Sequence, residues 1–436
     1  MRLAQEAARE LPNAEAHTLR IAVSHPHGNA NSYHTALAFS EIGWLDHFET
    51  GLLKGSAPSS VMRHLPQDIE RRTSNRNYEG IPEARKSSHR VVEAVSRMGG
   101  KVKPGGLTSR VNWYDVLFWG HDFQVSRALA DDLDAVYAYE DAAKLTFEAA
   151  RKRGVTAIYE LPLGYYKGVA AEINRARGDW ADVQPEVYAE PDWKQTRKAA
   201  ELAMADVTVV ASKWSRESLR LSEAAATKPV VAVPYGTPVE EILPRLQAPT
   251  GPFTILFAGQ IGLRKGVPHL IEAWEKLELR DARLWMAGSI ALPREYINEH
   301  AASFECLGAL PRAELIEVMK KVDMFVFPSL AEGFGLVIGE AMAAGVPVLT
   351  TNNTGGPELI TDGVEGWCVQ AHEVAPLIER IEWAYRHRDE LHSMGQLARQ
   401  RAEQWTWADY RRKLIVELAP HLGWAAPDLP FLCREP

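Results

Sequence analysis

Short apolar runs of four to six residues recur along this chain, each followed by a stretch with helical spacing, and that alternation restricts the fold more than any other feature. Residues 19–24, 135–139, 157–161, 207–211 and 230–233 read as strands. Helices are expected over 32–42, closed by Gly43, and over 142–153 and 193–205. Strands alternating with helices cannot pair as simple hairpins, so the pattern implies a parallel, doubly wound sheet. The rhythm breaks at Pro234-Tyr235-Gly236-Thr237-Pro238 and stays broken through Pro244, Pro249 and Gly251-Pro252. A second series then runs through strands at 253–258, 283–287, 304–307, 324–327 and 346–350. With 436 residues, too many for one ordinary core, the expectation is an α/β chain of two such domains, 1–238 and 239–406. Their sheets face a cleft at the carboxyl ends of the strands, where open α/β folds bind ligands.

The densest chemistry lies at one strand-to-helix turn of the second series. Pro328-Ser329-Leu330-Ala331-Glu332-Gly333-Phe334-Gly335-Leu336-Val337 leaves the strand at 324–327 and enters a helix expected over 336–344. Glu332 falls in the loop, and Glu340 lies more than one turn inside the helix. Between them, the amides near Gly335, Leu336 and Val337 have no intrahelical partner and carry the positive end of the macrodipole. Such an end binds phosphate. A diphosphate there would have a carboxylate on each side, both able to accept hydrogen bonds from sugar hydroxyls, which suits a nucleotide-sugar. The plainer alternative is a pair of surface carboxylates beside a well-packed turn. After the strand at 253–258 comes Gly259-Gln260-Ile261-Gly262-Leu263-Arg264-Lys265-Gly266. Gly259 lets the chain approach a ligand closely. Arg264 and Lys265 can neutralise charge developing on a leaving diphosphate, and because cations at a helix start oppose its dipole, they need a reason to be there.

The segment Glu332-Gly-Phe-Gly-Leu-Val-Ile-Gly-Glu340 resembles the E-x7-E signature of retaining glycosyltransferases of the GT-B fold, especially glycosyltransferase family 4 of the group 1 type. The likeness continues through Ala344-Gly345-Val346-Pro347-Val348-Leu349, Gly355-Gly356-Pro357-Glu358-Leu359-Ile360 and Asp362-Gly363-Val364-Glu365-Gly366. It covers roughly the C-terminal half. The resemblance implies GT-B architecture, two Rossmann-like domains with a last helix, within 407–436, packed back on the first. It also implies that Glu332 contacts the donor sugar and that Glu340 binds ribose hydroxyls. Phe334, Gly335, Leu336, Val337 and Gly259 belong to the donor site so implied, with Gly308 in the loop that takes the base. Arg264 and Lys265 would stabilise the departing diphosphate, so neither a covalent nucleophile nor a metal is expected.

Three departures stand out. Gln260 occupies the place of a family arginine, and Arg264 is taken to supply the missing guanidinium. The loop His25-Pro26-His27-Gly28-Asn29-Ala30-Asn31 has Gly28-Asn29 where relatives carry two glycines, so only Gly28 is carried over. Glu160 stands where relatives often place a histidine, and it is a candidate for orienting the acceptor or serving as a base, with a structural role equally open. His25, His27 and His34 read as polar lining. Asp132-Leu133-Asp134 reads as a polar helix end rather than as a metal-holding D-x-D.

The remaining composition narrows the partners. Cys306, Cys368 and Cys433 form neither a zinc pattern nor a disulfide framework. Residues 1–18 lack the apolar run of a secretory signal, and no segment has the roughly 18 apolar residues of a membrane span. A cytoplasmic location is expected. The net charge of -8 argues against nucleic acid, yet residues 51–110 carry a net +7. A basic helix drawn over 87–98 could rest on an anionic membrane at its inner face, or pack on the first domain's core. The expected activity is transfer of a sugar from a nucleoside-diphosphate sugar to a hydroxyl acceptor, glycan or lipid-linked, in glycoconjugate synthesis. A nucleotide-sugar epimerase and a non-catalytic sugar-nucleotide-binding protein are the alternatives.

Overall fold

A computed structural model describes residues 19–51, 78–88 and 113–423. The first domain contributes β1 (Ile21–His25), β2 (Leu45–Thr50), β3 (Lys86–Ser88), β4 (Ala135–Tyr139), β5 (Thr156–Leu161), β6 (Val207–Val210) and β7 (Val230–Ala232). The second contributes β8 (Phe253–Ala258), β9 (Ala282–Ala287), β10 (Glu305–Gly308), β11 (Met324–Phe327), β12 (Val348–Thr351) and β13 (Gly366–Val369). They form two parallel sheets, ordered β3-β2-β1-β4-β5-β6-β7 and β10-β9-β8-β11-β12-β13. Apart from the extra edge strand β7, the second order repeats the first. Both are the doubly wound order whose direction reverses beside the first strand, which opens a ligand crevice at the carboxyl ends. The central strands β1, β4, β8 and β11 are buried along their whole length, as parallel strands covered by helices on both faces must be. Their apolar runs are what the sequence displays.

The edges differ from expectation. β2, Leu-Asp-His-Phe-Glu-Thr, carries charges that pair with each other: His47 lies 2.5 Å from Asp46 and 3.2 Å from Glu49. Ser87 and Ser88, expected to open a helix over 87–98, instead end β3, paired in register with Glu49 and Thr50 of β2. Extended backbone there satisfies the open edge of β2. The rest of that expected helix, with most of the basic segment, lies outside the described residues.

Two chain crossings join the domains, and they lie side by side. In the linker, Thr237 N donates to Trp405 O at 2.9 Å and Thr237 Oγ1 to Ala402 O at 2.5 Å. Gly236 lies so close that a Cβ would meet the Trp407 backbone at 2.4 Å. The helix Trp407–Leu418 starts at a capping box between Thr406 and Asp409. It then lies on the first domain's helix Ala30–Glu41, with Tyr410 OH 2.8 Å from Thr35 Oγ1 and Arg411 Nε 2.9 Å from Glu41. Among the described residues, no helix is long and apolar enough to cross a membrane.

Candidate active site

β11 ends in the loop that carries Glu332, and the loop is forced into a tight turn by Gly335. Gly335 has φ 85° and caps the helix Leu336–Ala343; a Cβ on it would come within 3.0 Å of the Phe327 ring. That left-handed turn is open to glycine at little cost and strained for other residues. It aims the first turn of the helix, whose amides have no intrahelical partner, at the cleft.

The loop after β8 closes over this turn. Gly266, φ 69°, packs so tightly that a Cβ would fall 1.9 Å from Pro328 O, and Leu330 N donates to Arg264 O at 2.9 Å. Arg264 and Lys265 are thereby brought beside Glu332. Lys265 Nζ is in direct contact with Glu332 Oε2, while Arg264 Nη1 lies 3.3 Å from the same oxygen and donates to Ala331 O at 2.7 Å. Burial pushes the Glu332 carboxyl up, but the Lys265 and Arg264 cations more than reverse this and hold it below the usual carboxylate range. Burial lowers Lys265, and the adjacent Arg264 adds to that effect while Glu332 opposes it. The result is an ionised carboxylate under two cations, able to accept from sugar hydroxyls beside a positive surface.

A cleft of about 510 Å³ joins the two domains here. Lys265, Glu332, Gly259, Phe334, Gly335, Leu336, Val337 and Glu340 line it on the second-domain side, and Asn29, Asn31, Pro162 and Tyr235 on the other. Arg264 stands just behind Glu332. With Arg264, four of the sequence candidates are therefore not on its surface, the others being Gly28, Gly308 and Glu160. Gly28, φ 54°, is covered by Tyr78, whose hydroxyl donates to Gly28 O at 2.8 Å, so Asn29 and Asn31 take the position facing the cleft. Gly308 turns the chain at φ 69°, and its neighbours Ala309 and Leu310 form the wall. Glu160 is 1% exposed and lies behind Asn31 and Tyr235.

Arg312 is a residue that sequence reasoning missed. It begins the helix Arg312–Met319, and its guanidinium bridges Glu340 and Glu241, each at 2.5 Å. A cation in the first turn of a helix opposes the dipole. The same signal that singled out Arg264 and Lys265 was therefore present at Arg312.

The domains touch closely around the cleft. A Cβ on Gly333 would fall 1.8 Å from Pro162 O, and Ser215 Oγ lies 3.2 Å from Gly333 O. Glu358 accepts from Lys213 N at 2.6 Å, and Gly355 N donates to Phe334 O at 2.7 Å, so the Gly355-Gly356-Pro357-Glu358 segment supports the Glu332 loop. To one side, His372 Nε2 lies 2.6 Å from Glu172, and Trp180 packs on His269 with ring centres 5.4 Å apart.

The remaining candidates for metal chemistry point elsewhere. Asp134 accepts from Arg20 N at 2.8 Å and Asp132 pairs with the Arg20 side chain, so both pin the start of β1 to that of β4. His34 stacks on Trp407 at 4.1 Å, and burial and nearby Arg411 push its pKa down to about 3. Among the described residues, no group of three or more His, Cys, Asp or Glu could hold a metal ion.

Two facing Rossmann-like parallel sheets with their cleft between them define an α/β protein of GT-B architecture. Residues 238–401, in the second domain and its approach, match the family model described as glycosyl transferases group 1. Over 166 residues the chain is 32% identical to a D-inositol 3-phosphate glycosyltransferase of Paenarthrobacter aurescens, a match covering 36% of this chain and 41% of that protein. Over 280 residues it is 25% identical to the putative colanic acid biosynthesis glycosyltransferase WcaL of Escherichia coli, covering 60% and 66%. The chain thus spans about two fifths of the first relative's length. In fold it is similar to a sucrose-phosphate synthase from Thermosynechococcus elongatus, with TM-score 0.62 and 17% identity over 91% of this chain and 97% of that one. It is also similar to Anabaena HepE in complex with UDP and glucose, with TM-score 0.59 and 16% identity over 92% and 100%.

Proposed function

We propose that the protein is a retaining, metal-independent glycosyltransferase that moves a sugar from a nucleoside-diphosphate donor to a hydroxyl acceptor. The observation that carries this reading is the convergence of Glu332, Lys265, Arg264 and the first turn of Leu336–Ala343 on one interdomain cleft, with Glu340 one turn further in. In this reading the amides of Leu336 and Val337 receive the donor diphosphate. Lys265 and Arg264 stabilise the charge that grows on it as the glycosidic bond breaks. Glu332, kept ionised by those cations, accepts from a donor hydroxyl and favours the positive charge developing on the sugar. Glu340, steadied by Arg312, takes the ribose hydroxyls. The acceptor hydroxyl enters from the Asn31 and Tyr235 side and attacks on the face the diphosphate leaves. Its proton goes to the departing phosphate oxygen, so no protein nucleophile is needed.

The names of the relatives, an inositol 3-phosphate glycosyltransferase and a putative colanic acid biosynthesis glycosyltransferase, support a polyol or glycan acceptor; a lipid-linked acceptor met at the inner face of the membrane is the further case that the vesicle experiment below tests. Epimerisation of a nucleotide sugar is the competing class, and the match of Glu332–Glu340 to E-x7-E, together with the Gly355-Gly356-Pro357-Glu358 segment, favours transfer. The deciding experiment is a thermal-shift screen of nucleoside diphosphates and their sugars, followed by NMR of the product. Transfer with the donor's anomeric configuration kept is expected; an epimerised donor or an inverted product overturns the reading.

A further inference from the structure

Behind the first-domain wall of the cleft lies a carboxylate that meets no cation among the described residues. Glu160, on β5, is 1% exposed, and among the described residues it is in no salt bridge. Neutral donors serve it instead. Tyr137 OH lies 2.5 Å from Oε2, Tyr235 OH contacts Oε1, and Asn31 Nδ2 lies 3.3 Å from Oε1 and 3.0 Å from Tyr235 OH. Of these donors, Asn31 and Tyr235 face the cleft.

A buried carboxylate without a counter-ion is costly unless its lone pairs are met by donors. Burial raises the Glu160 carboxyl, while the hydrogen bonds of the surrounding tyrosines and Asn31 work against that and favour the ionised form; ionised, it is acceptor-only and dictates how its neighbours point. The Asn31 amide must turn Nδ2 inward, which leaves Oδ1 to accept from a hydroxyl in the cleft. The Tyr235 hydroxyl proton is spent on Glu160. The Tyr235 ring is then held edge-on against Phe334, at 5.4 Å between centres, two residues from Glu332. Glu160 therefore fixes one wall of the cleft and the linker residue that touches the other.

We propose that Glu160 is a positioning residue of the transfer reaction, acting through Asn31 and Tyr235 on the group that attacks the donor sugar, and not a base that touches substrate. This rests on the glycosyltransferase reading above. Glu160→Gln tests it with little change of shape: the amide offers one acceptor oxygen and a donor NH2 to these donors, so at least one bond is lost. The full-length chain is assayed for nucleotide release from UDP-glucose, UDP-galactose, UDP-N-acetylglucosamine, ADP-glucose and GDP-mannose, and for calorimetric binding of the matching free nucleoside diphosphate.

On the donor that wild type cleaves, Glu160→Gln should lower kcat at least tenfold while the nucleoside diphosphate Kd stays within twofold. Asn31→Ala should do the same, and the double variant should be no slower than Asn31→Ala alone, because coupled residues are non-additive. A wild-type rate for Glu160→Gln, a Kd that weakens in step with kcat, or fully additive losses would each overturn the proposal. If Glu160→Gln does not fold, Tyr235→Phe and Asn31→Ala with their double variant carry the same test, additivity again counting against it. Wild type that binds nucleotide yet cleaves none of the five donors would refute the transferase reading itself, and this inference with it.

Discussion

Replacing Lys265 by methionine keeps the length of the side chain and removes its charge, which isolates the electrostatic role assigned to it. Two unit charges about 4 Å apart interact by roughly 4 kcal/mol at an effective dielectric of about 20. Lys265 touches a carboxylate that is only 15% exposed, so water replaces little of what is lost. If the same cation serves the departing diphosphate, its removal costs about 3 to 4 kcal/mol in the transition state, or ~100- to 1,000-fold in kcat. A second signature follows from the carboxyl group. In wild type the two cations hold Glu332 below its ordinary range, so it stays ionised, and contributes to stability, above about pH 4.3, the contribution fading as pH falls through the folded value. Without Lys265, burial regains weight and raises the Glu332 pKa, so the acid limb of the kcat profile should move to higher pH. Steady-state nucleotide release between pH 4.5 and 8 reads both effects. A Lys265→Met enzyme within tenfold of wild type, with an unmoved acid limb, would refute the reasoning.

Other outcomes follow from the same geometry. Glu340→Ala should weaken nucleoside diphosphate binding by about 1.5 to 3 kcal/mol, and the variant should no longer distinguish a 2′,3′-dideoxy nucleotide from its parent in calorimetry. Arg312→Ala should raise the donor KM with less effect on kcat, because it removes the partner of Glu340 and not a reacting group; an equal fall in kcat would count against that role. Activity should persist in excess EDTA, and loss restored by a divalent metal would show that the protein cations are insufficient. Lys86 lies in β3 with its ammonium on Glu83, so neutralising Arg85, Lys101 and Lys103 together should abolish co-sedimentation with anionic vesicles at low salt, each basic residue near the surface being worth about 1 kcal/mol. No sedimentation of wild type would remove the membrane contact.

The architecture was legible because the strands nearest the switch points are continuous apolar runs: Ala135–Tyr139, Phe253–Ala258 and Met324–Phe327 coincide with the expected limits. β2 was not, since its charges satisfy one another on a half-open edge and break the apolar signal. β13 was hidden by its glycine, which reads as a loop. The turn with Glu332 and Glu340 could be read because its parts are adjacent in sequence. The carboxylate network at Glu160 could not: its donors sit at positions 31, 137 and 235, and only the fold assembles them. Arg312 shows the reverse case, a residue carrying a readable local signal whose partner Glu340 is brought to it by the packing of two helices.

The side-by-side crossings at Thr237 and Trp405 have a consequence for how ligands act on this chain. Two domains tethered twice at one point meet at high effective concentration, so their mutual contacts form without the entropy loss of a bimolecular encounter. Under that condition a few modest bonds, such as Glu172 with His372 and Lys213 N with Glu358, are enough to bias closure. If the domains also part, a ligand that touches both walls would shift the balance only by its difference in affinity for the two arrangements, and its apparent Kd would be the intrinsic Kd divided by the fraction closed. Substitutions at those rim contacts would consequently tune donor affinity and residence time from outside the cleft, leaving the groups that do the chemistry untouched.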